Sequence, residues 1–406
     1  MNKGLRWYLT STAFYLVPGG IQMVLFPWLV AVYLLESPMR LGVAQMAGQL
    51  PMLFLILWGG LLGDRVDQRR LLIFLHMLMV VPPLLMALAI GLGLVVYELL
   101  IIWAIVGGIL GAFMQPARDA MLARVAGSNI QRIVTMVVGV QFGIQILGFA
   151  MGSAADRVGP IVILLAQAGF MLAAAIATAK LPDTPMATDT SGVKRNAFRD
   201  IAEGLSIAWK SESIRPAIIL VFAVGVFFAG AYMVVLPLMV RDIYNGGATG
   251  IAGAFAANMV GTCTVVYFLM RFGGLDHPGR AMILTGFTSC MVLSILHLDL
   301  PEWGFYTVLY FWGMCGGISM TMSRAIVQEA SPASHRARIM SVYSLGIMGG
   351  LPIGSILLGW SVGLFGARNA VLIPAIGMAC VLAYLSIGTN LWQVKRRLIE
   401  VGKGGE

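Results

Sequence analysis

Long apolar runs separated by short polar breaks fill almost the whole chain. A helix needs about 20 apolar residues to cross the hydrocarbon core of a bilayer. The pattern predicts twelve such spans, over 8–35, 41–63, 71–96, 99–117, 133–154, 160–180, 216–240, 249–270, 281–298, 304–325, 339–361 and 369–392. The class predicted is an all-α, polytopic membrane protein.

Composition agrees with that pattern. Hydrophobic residues make up 59% of the 406 positions and charged residues 11%, against about a quarter charged in soluble domains. The net charge of +9 raises the question of nucleic acid, and the placement of the charges answers it. With the N-terminus in the cytoplasm, every Lys and Arg except Arg40, Arg157, Arg241 and Arg368 falls on the cytoplasmic side. This is the positive-inside asymmetry; it predicts both termini inside and an even number of spans. The basic excess is therefore a topology signal and no nucleic-acid partner is expected. The first span has no small-residue cleavage site and reads as a retained helix. Cys263, Cys290, Cys315 and Cys380 all fall within spans and read as small packing residues, with no disulfide or metal site expected.

The longest polar stretch, 181–215, divides the chain. It opens on Pro182, Asp183, Thr184 and Pro185, a loop signature. Phe198, Ile201, Leu205, Ala208 and Trp209 then recur at helical spacing, flanked by Lys194, Arg195, Arg199 and Lys210, as in an amphipathic helix on a membrane surface. The expected organisation is a six-helix bundle over 1–180, a cytoplasmic loop with an amphipathic helix over 181–215, and a second six-helix bundle with a cytoplasmic tail over 216–406. The halves echo each other at constant spacing: Arg65 with Arg271, Arg118 with Arg324, Arg132 with Arg338, Gly143 with Gly349, Gly148 with Gly354. Two parallel six-helix repeats are the layout of a transporter class whose halves rock around a site near the midplane.

Between spans 2 and 3 stands Gly60-Leu-Leu-Gly-Asp64-Arg65-Val-Asp67-Gln-Arg69-Arg70. It resembles the cytoplasmic signature of the major facilitator superfamily, with Asp67 in place of a second Gly and Gln68 in place of an Arg. The resemblance implies two pseudo-symmetric six-helix bundles and a conformational latch carried by Gly60, Asp64, Arg65, Arg69 and Arg70. Independently of any family, a clustered Asp–Arg pair in a charge-poor membrane protein suits a switch better than a stabiliser. Gln115-Pro116-Ala117-Arg118-Asp119 at the end of span 4, Glu203-Gly204-Leu205 before span 7 and Arg336-Ala-Arg338 opening span 11 resemble a bacterial efflux branch that includes the enterobactin exporter and macrolide-efflux proteins. The chain departs from proton-driven drug antiporters in having Trp103 or Ala104 where they carry an Arg, and Phe149 after Gly148 where they carry a Pro; Gly139, Gly143, Gly148 and Gly152 still suit close helix contact.

Polar residues inside spans are candidates for function. No carboxylate lies mid-span; Glu36, Asp119, Asp156 and Glu329 lie at span ends. The neutral candidates for a substrate cavity are Gln22, Gln45, Gln49, Gln115, Gln141, Gln145 and Asn258, with Gln45 and Gln49, and Gln141 and Gln145, one helical turn apart. Interhelical hydrogen bonding is an equal reading for each Gln. Met114, Phe228, Tyr232 and Tyr343 join them as candidates for an adaptable apolar wall, with Tyr15, Trp28 and Phe227 as further aromatics; packing or lipid contact is the commoner reading for most of them. Arg118, Asp119, Arg324 and Glu329 are expected at the inner mouth, where the arginines either attract anions or serve topology. His76 and His297 read as packing or interfacial residues.

No catalytic, cofactor or metal constellation is visible. Gly359-Trp-Ser361-Val-Gly363 fits the hydrolase elbow but lies in a helical span and lacks the strand–turn–helix context. The expectation is a monomeric, non-enzymatic secondary transporter in a bacterial inner membrane. It would export drug-like or siderophore-like amphipathic molecules by alternating access, with protons as coupling ion. The alternatives are uptake or uniport of a metabolite, and a non-transporting sensor on the same fold.

Overall fold

The computed structural model describes residues 3–126, 130–182, 197–271, 277–332 and 335–393; the side chains at 3, 57, 60–65, 126, 130–136, 138, 139, 197–200 and 337 lie outside that description. Among the described residues, twelve long helical segments follow the predicted order. Span 1 runs Lys3–Trp28 and continues through π-helical turns at Leu29–Tyr33. Spans 2 to 6 are Pro38–Arg65, Gln68–Gly91, Tyr97–Ala126, Ile130–Ser153 and Pro160–Ala179. The linker helix Ala197–Lys210 precedes span 7, which runs from Ile214 to Asp242 through π-helical turns at Val224–Ala229 and Ala231–Val235. Spans 8 to 12 are Ala248–Arg271, Pro278–Ile295, Glu302–Ala330, Arg336–Ala370 and Leu372–Gly388. Span 11 bends at Gly366, where φ is 75°, a left-handed conformation that glycine adopts freely.

Local sequence sets the helix starts. Pro38, Pro160 and Pro278 occupy the first turns of spans 2, 6 and 9, where the missing N–H has no intrahelical partner to lose. Asp67 caps span 3, accepting the backbone N–H of Arg69 at 2.9 Å and of Arg70 at 3.2 Å. The residue that departs from the superfamily signature is thus a strong N-cap.

One boundary differs in a way that matters. Span 4 was expected to end at 117, but its helix continues to Ala126. Hydropathy drops at Arg118 and Asp119 while helix propensity does not, so this charged pair sits two turns inside the helix.

The two halves share one packing plan. Spans 1–5, 1–6, 2–4, 3–4 and 3–6 are in contact in the first half; the counterparts 7–11, 7–12, 8–10, 9–10 and 9–12 are in contact in the second. Gly20 meets Gly148, and Gly230 meets Gly354, so the same close approach of backbones is built twice. The most extensive contacts between the halves are span 2 with span 11 and span 5 with span 8, and the repeat exchanges one pair for the other. Among the described residues, the twelve long helices form two pseudo-symmetric six-helix bundles, the arrangement that the superfamily resemblance implies.

Candidate functional site

The halves are tied together at the end opposite the termini. Asp156, in the short turn between spans 5 and 6, accepts the backbone N–H of Ala248 at 2.9 Å and of Thr249 at 2.8 Å. These are orphan donors of the first turn of span 8, and the helix dipole favours the carboxylate there. Thr249 Oγ1 donates to the carbonyl of Ser153 at 3.2 Å. On the other flank Arg241, ending span 7, donates through Nη1 to the carbonyls of Ala31 at 3.2 Å and Glu36 at 2.9 Å. Glu36 is itself paired with Arg40 at 2.8 Å. Gly42 lies directly on the backbone of Ser355 and Gly359, and Phe149 packs on Phe255 with ring centroids 5.9 Å apart.

Toward the termini the inward face of span 10 becomes accessible. Phe305, Leu309 and Trp312 on that face are buried, whereas Gly316 is exposed and Met320 is 53% exposed. Gln141 on span 5 and Asp119 on span 4 are exposed too. Behind this accessible face the second half packs an aromatic cluster, in which Phe228, Phe255 and Trp312 are buried and Tyr232 is partly exposed. Tyr232 stacks on Phe255 at 4.4 Å, and Phe228 meets Trp312 edge-on at 5.7 Å.

The amide candidates split into two groups. Gln167 Nε2 donates to Gln22 Oε1 at 3.0 Å, Gln145 Nε2 to Met23 Sδ at 2.9 Å and Asn258 Nδ2 to the carbonyl of Leu309 at 3.3 Å; these bonds knit helices within a half. Gln45 Nε2 donates across the halves to the carbonyl of Met233 at 3.3 Å. Gln115 Nε2 reaches both oxygens of Asp119 at 3.3 Å, and Gln49 Oε1 is buried without a hydrogen-bond partner. Met114 is fully buried among Tyr8, Leu72 and Leu110. Tyr343 is buried against Ser323, with the two hydroxyls 2.9 Å apart. Both therefore sit within a bundle and not on an open wall.

Of the charges expected at the inner mouth, Arg324 and Glu329 are exposed, while Arg118 is 8% exposed. Its burial corrects the expectation and follows from the longer helix. His76 is likewise not isolated: its ring meets Tyr15 edge-on at 5.8 Å, and Nδ1 lies 3.4 Å from Thr178 Oγ1. Of the signature residues, Arg69 donates to the carbonyl of Ala179, which ties the start of span 3 to the end of span 6, and Arg70 lies 3.9 Å from Asp67. Gly60, Asp64 and Arg65 fall among side chains outside the described residues. The sequence reading assigned no role to Asp156 beyond a span-end acid, nor to Arg241 beyond topology.

A helical membrane protein of two six-helix repeats, tied together at the end opposite its termini and exposing Gln141, Gly316 and Met320 nearer them, is a membrane transporter of the major facilitator kind. The sequence profile of the transmembrane secretion effector family matches residues 5–398, and the chain belongs to that family. It is similar to the staphyloferrin A transporter of Staphylococcus aureus (strain NCTC 8325 / PS 47), with 22% identity over 387 residues, 92% of this chain and 94% of the relative. Among solved structures it is similar to the nucleoside transporter NupG, with a TM-score of 0.75 at 14% identity over 97% of this chain and 100% of that one. A bacterial homologue of the human lysosomal transporter Spinster, inward-facing and unoccupied, has a TM-score of 0.65 at 13% identity over 96% of this chain and 95% of that one. The chain is a transporter of small molecules and not an enzyme.

Proposed function

We propose that this protein exports small amphipathic molecules, of drug or siderophore type, across a bacterial inner membrane by alternating access with proton antiport. The observation that carries this reading is the one-ended closure by Asp156 and Arg241, with Gly316, Met320 and Gln141 exposed toward the other end. With the basic loops and both termini in the cytoplasm, this is the state that loads substrate from the cell interior. The exposed Met320, backed by the aromatic cluster of Phe228, Tyr232 and Trp312, suits an apolar body, and the exposed amide of Gln141 suits a polar group. The similarity to a staphyloferrin A transporter favours a siderophore-like substrate. On this reading residues 1–180 and 216–406 move as two bodies about the loop 181–215, Gly60, Asp64, Arg65, Arg69 and Arg70 form the cytoplasmic gate, and the working unit is the monomer.

The test is efflux of a panel of amphipathic dyes and siderophores from cells expressing the protein, with and without a protonophore. Protonophore-sensitive export of at least one compound is expected. Export that persists unchanged with the gradient collapsed would remove proton antiport, and export of nothing in the panel would remove the export reading.

A further inference from the structure

A cleft opens between spans 1 and 4 near the middle of both helices. Gly19 and Gly107 are exposed, and a Cβ on either would meet no atom within 4 Å. At Gly111, one turn beyond Gly107, the nearest atom would be Met52 Sδ at 4.0 Å. Phe26 and Trp103 close one end of the cleft, their ring centroids 5.8 Å apart. Tyr15 and Arg118 close the other, the guanidinium 4.4 Å from the ring centroid. The helical period puts Tyr15, Gly19 and Phe26 on one stripe of span 1, and Trp103, Gly107, Gly111 and Arg118 on one stripe of span 4.

Arg118 is out of place for a topological charge. With the helix Tyr97–Ala126 centred on the bilayer, it lies about 10 Å from the midplane, inside the hydrocarbon. A cation at that depth needs compensation. It takes part in none of the ion pairs among the described residues. Tyr15, through its ring face and a side-chain hydrogen bond, and the neighbouring charge of Asp119 give part of that compensation, while the Asp119 carboxylate itself is bonded to Gln115. Behind Tyr15, His76 Nε2 is buried without a hydrogen-bond partner. A buried cation thus stands at the foot of an unfilled, glycine-floored cleft.

We propose that this cleft binds an organic anion. Arg118 holds the acidic group of the transported molecule, and its apolar body lies over Gly19, Gly107 and Gly111 against Tyr15, Phe26 and Trp103. The proposal rests on the transport reading and adds the substrate's charge to it. The glycines let a flat body approach the backbone closely, and the guanidinium fork matches a carboxylate through two parallel bonds.

The test uses the full-length purified protein and two probes with one body, pyrenebutyrate and its neutral amide, with binding read by pyrene fluorescence anisotropy. The wild type is expected to prefer the carboxylate by about tenfold or more. Arg118→Gln should abolish the preference and leave amide affinity unchanged; Arg118→Lys should keep part of it. Equal affinity for both probes in the wild type, or parallel loss of both in Arg118→Gln, overturns the proposal. Gly107→Leu fills the cleft with Arg118 intact and should weaken both probes together; unchanged binding there overturns the location. Repeating the measurement in nanodiscs with and without phosphatidylglycerol separates a lipid headgroup from a substrate. A preference lost only in the anionic lipid would assign Arg118 to the headgroup and overturn the proposal. Vesicle flux is a separate readout: a carboxylate preference without flux would remove the transport reading and leave the anion site standing.

Discussion

Glu203, on the helix that joins the halves, places Oε1 2.9 Å from Nη1 of Arg338 and 3.1 Å from Nε2 of His335 at the start of span 11. The next residue, Gly204, packs on the backbone of Arg338, where a Cβ would come within 3.0 Å of the carbonyl carbon. Two motifs that are far apart in the sequence therefore meet as one joint, and the linker helix rides on the second half.

This joint makes a graded prediction. Glu203 and Arg338 are both partly exposed, so solvent screens them, and a double-mutant cycle with Glu203→Gln and Arg338→Gln should give a coupling of about 0.5–1 kcal/mol. Gly204→Leu forces the linker helix off span 11 and should lower thermal stability by more than either charge variant. A Gly204→Leu protein as stable as wild type would show that the helix does not bear on span 11.

The closure opposite the termini depends on a carboxylate and two backbone donors. Asp156→Ala leaves the N–H groups of Ala248 and Thr249 without their cross-half partner, a loss of about 1–3 kcal/mol in the closed state. A loss over that range shifts the ratio of closed to open populations by about five- to 150-fold. Spin labels at positions 157 and 245, on exposed turns of the two halves and in a background lacking the four cysteines, should report a longer distance in Asp156→Ala. An unchanged distance distribution would remove Asp156 from the gate.

Two glycines at close contacts should behave differently. A Cβ at Gly42 would collide with the Ser355 carbonyl oxygen, across the halves. One at Gly313 would collide with the Asn258 carbonyl oxygen, between spans 8 and 10 of one half. The first contact exists only while the halves are closed; the second belongs to the bundle itself. Gly42→Ala is therefore expected to lengthen the distance between labels at 157 and 245 with little loss of thermal stability. Gly313→Ala should lower the melting temperature by several degrees, as a core overpacking of about 1–3 kcal/mol does. The reverse pattern would place the halves' contact elsewhere.

The fold was legible because hydrocarbon thickness imposes a length on every apolar run, and because the repeat left Gly148 and Gly354 at matching close contacts. Span 4 was misjudged at its end, since hydropathy registers the charges of Arg118 and Asp119 while the helix continues through them. The closure was not legible for another reason. The partners of Asp156 are backbone N–H groups, and those of Arg241 are the carbonyls of Ala31 and Glu36; any residue type supplies these, so the sequence carries no trace of the pairing. Asp67 shows the converse, a departure from a family pattern whose capping role follows from its side chain.

Gln141 and Gln145 share a helix face but not a setting, and their variants should separate two roles. Gln145 donates to Met23 Sδ at 2.9 Å, so its amide belongs to the contact between spans 5 and 1. Gln141, one turn nearer the termini, is exposed. Gln145→Ala removes a hydrogen bond inside the half, and its effect should fall on stability, by about 0.5–1.5 kcal/mol, with the order of substrate preference kept. Gln141→Ala removes a polar group from the open side and should change the relative export of polar and apolar compounds while leaving the melting temperature unchanged. Measuring both variants on one efflux panel and one thermal melt decides the matter. If Gln141→Ala alters stability and not preference, it is a packing residue, and the accessible side loses its one exposed amide among the candidates.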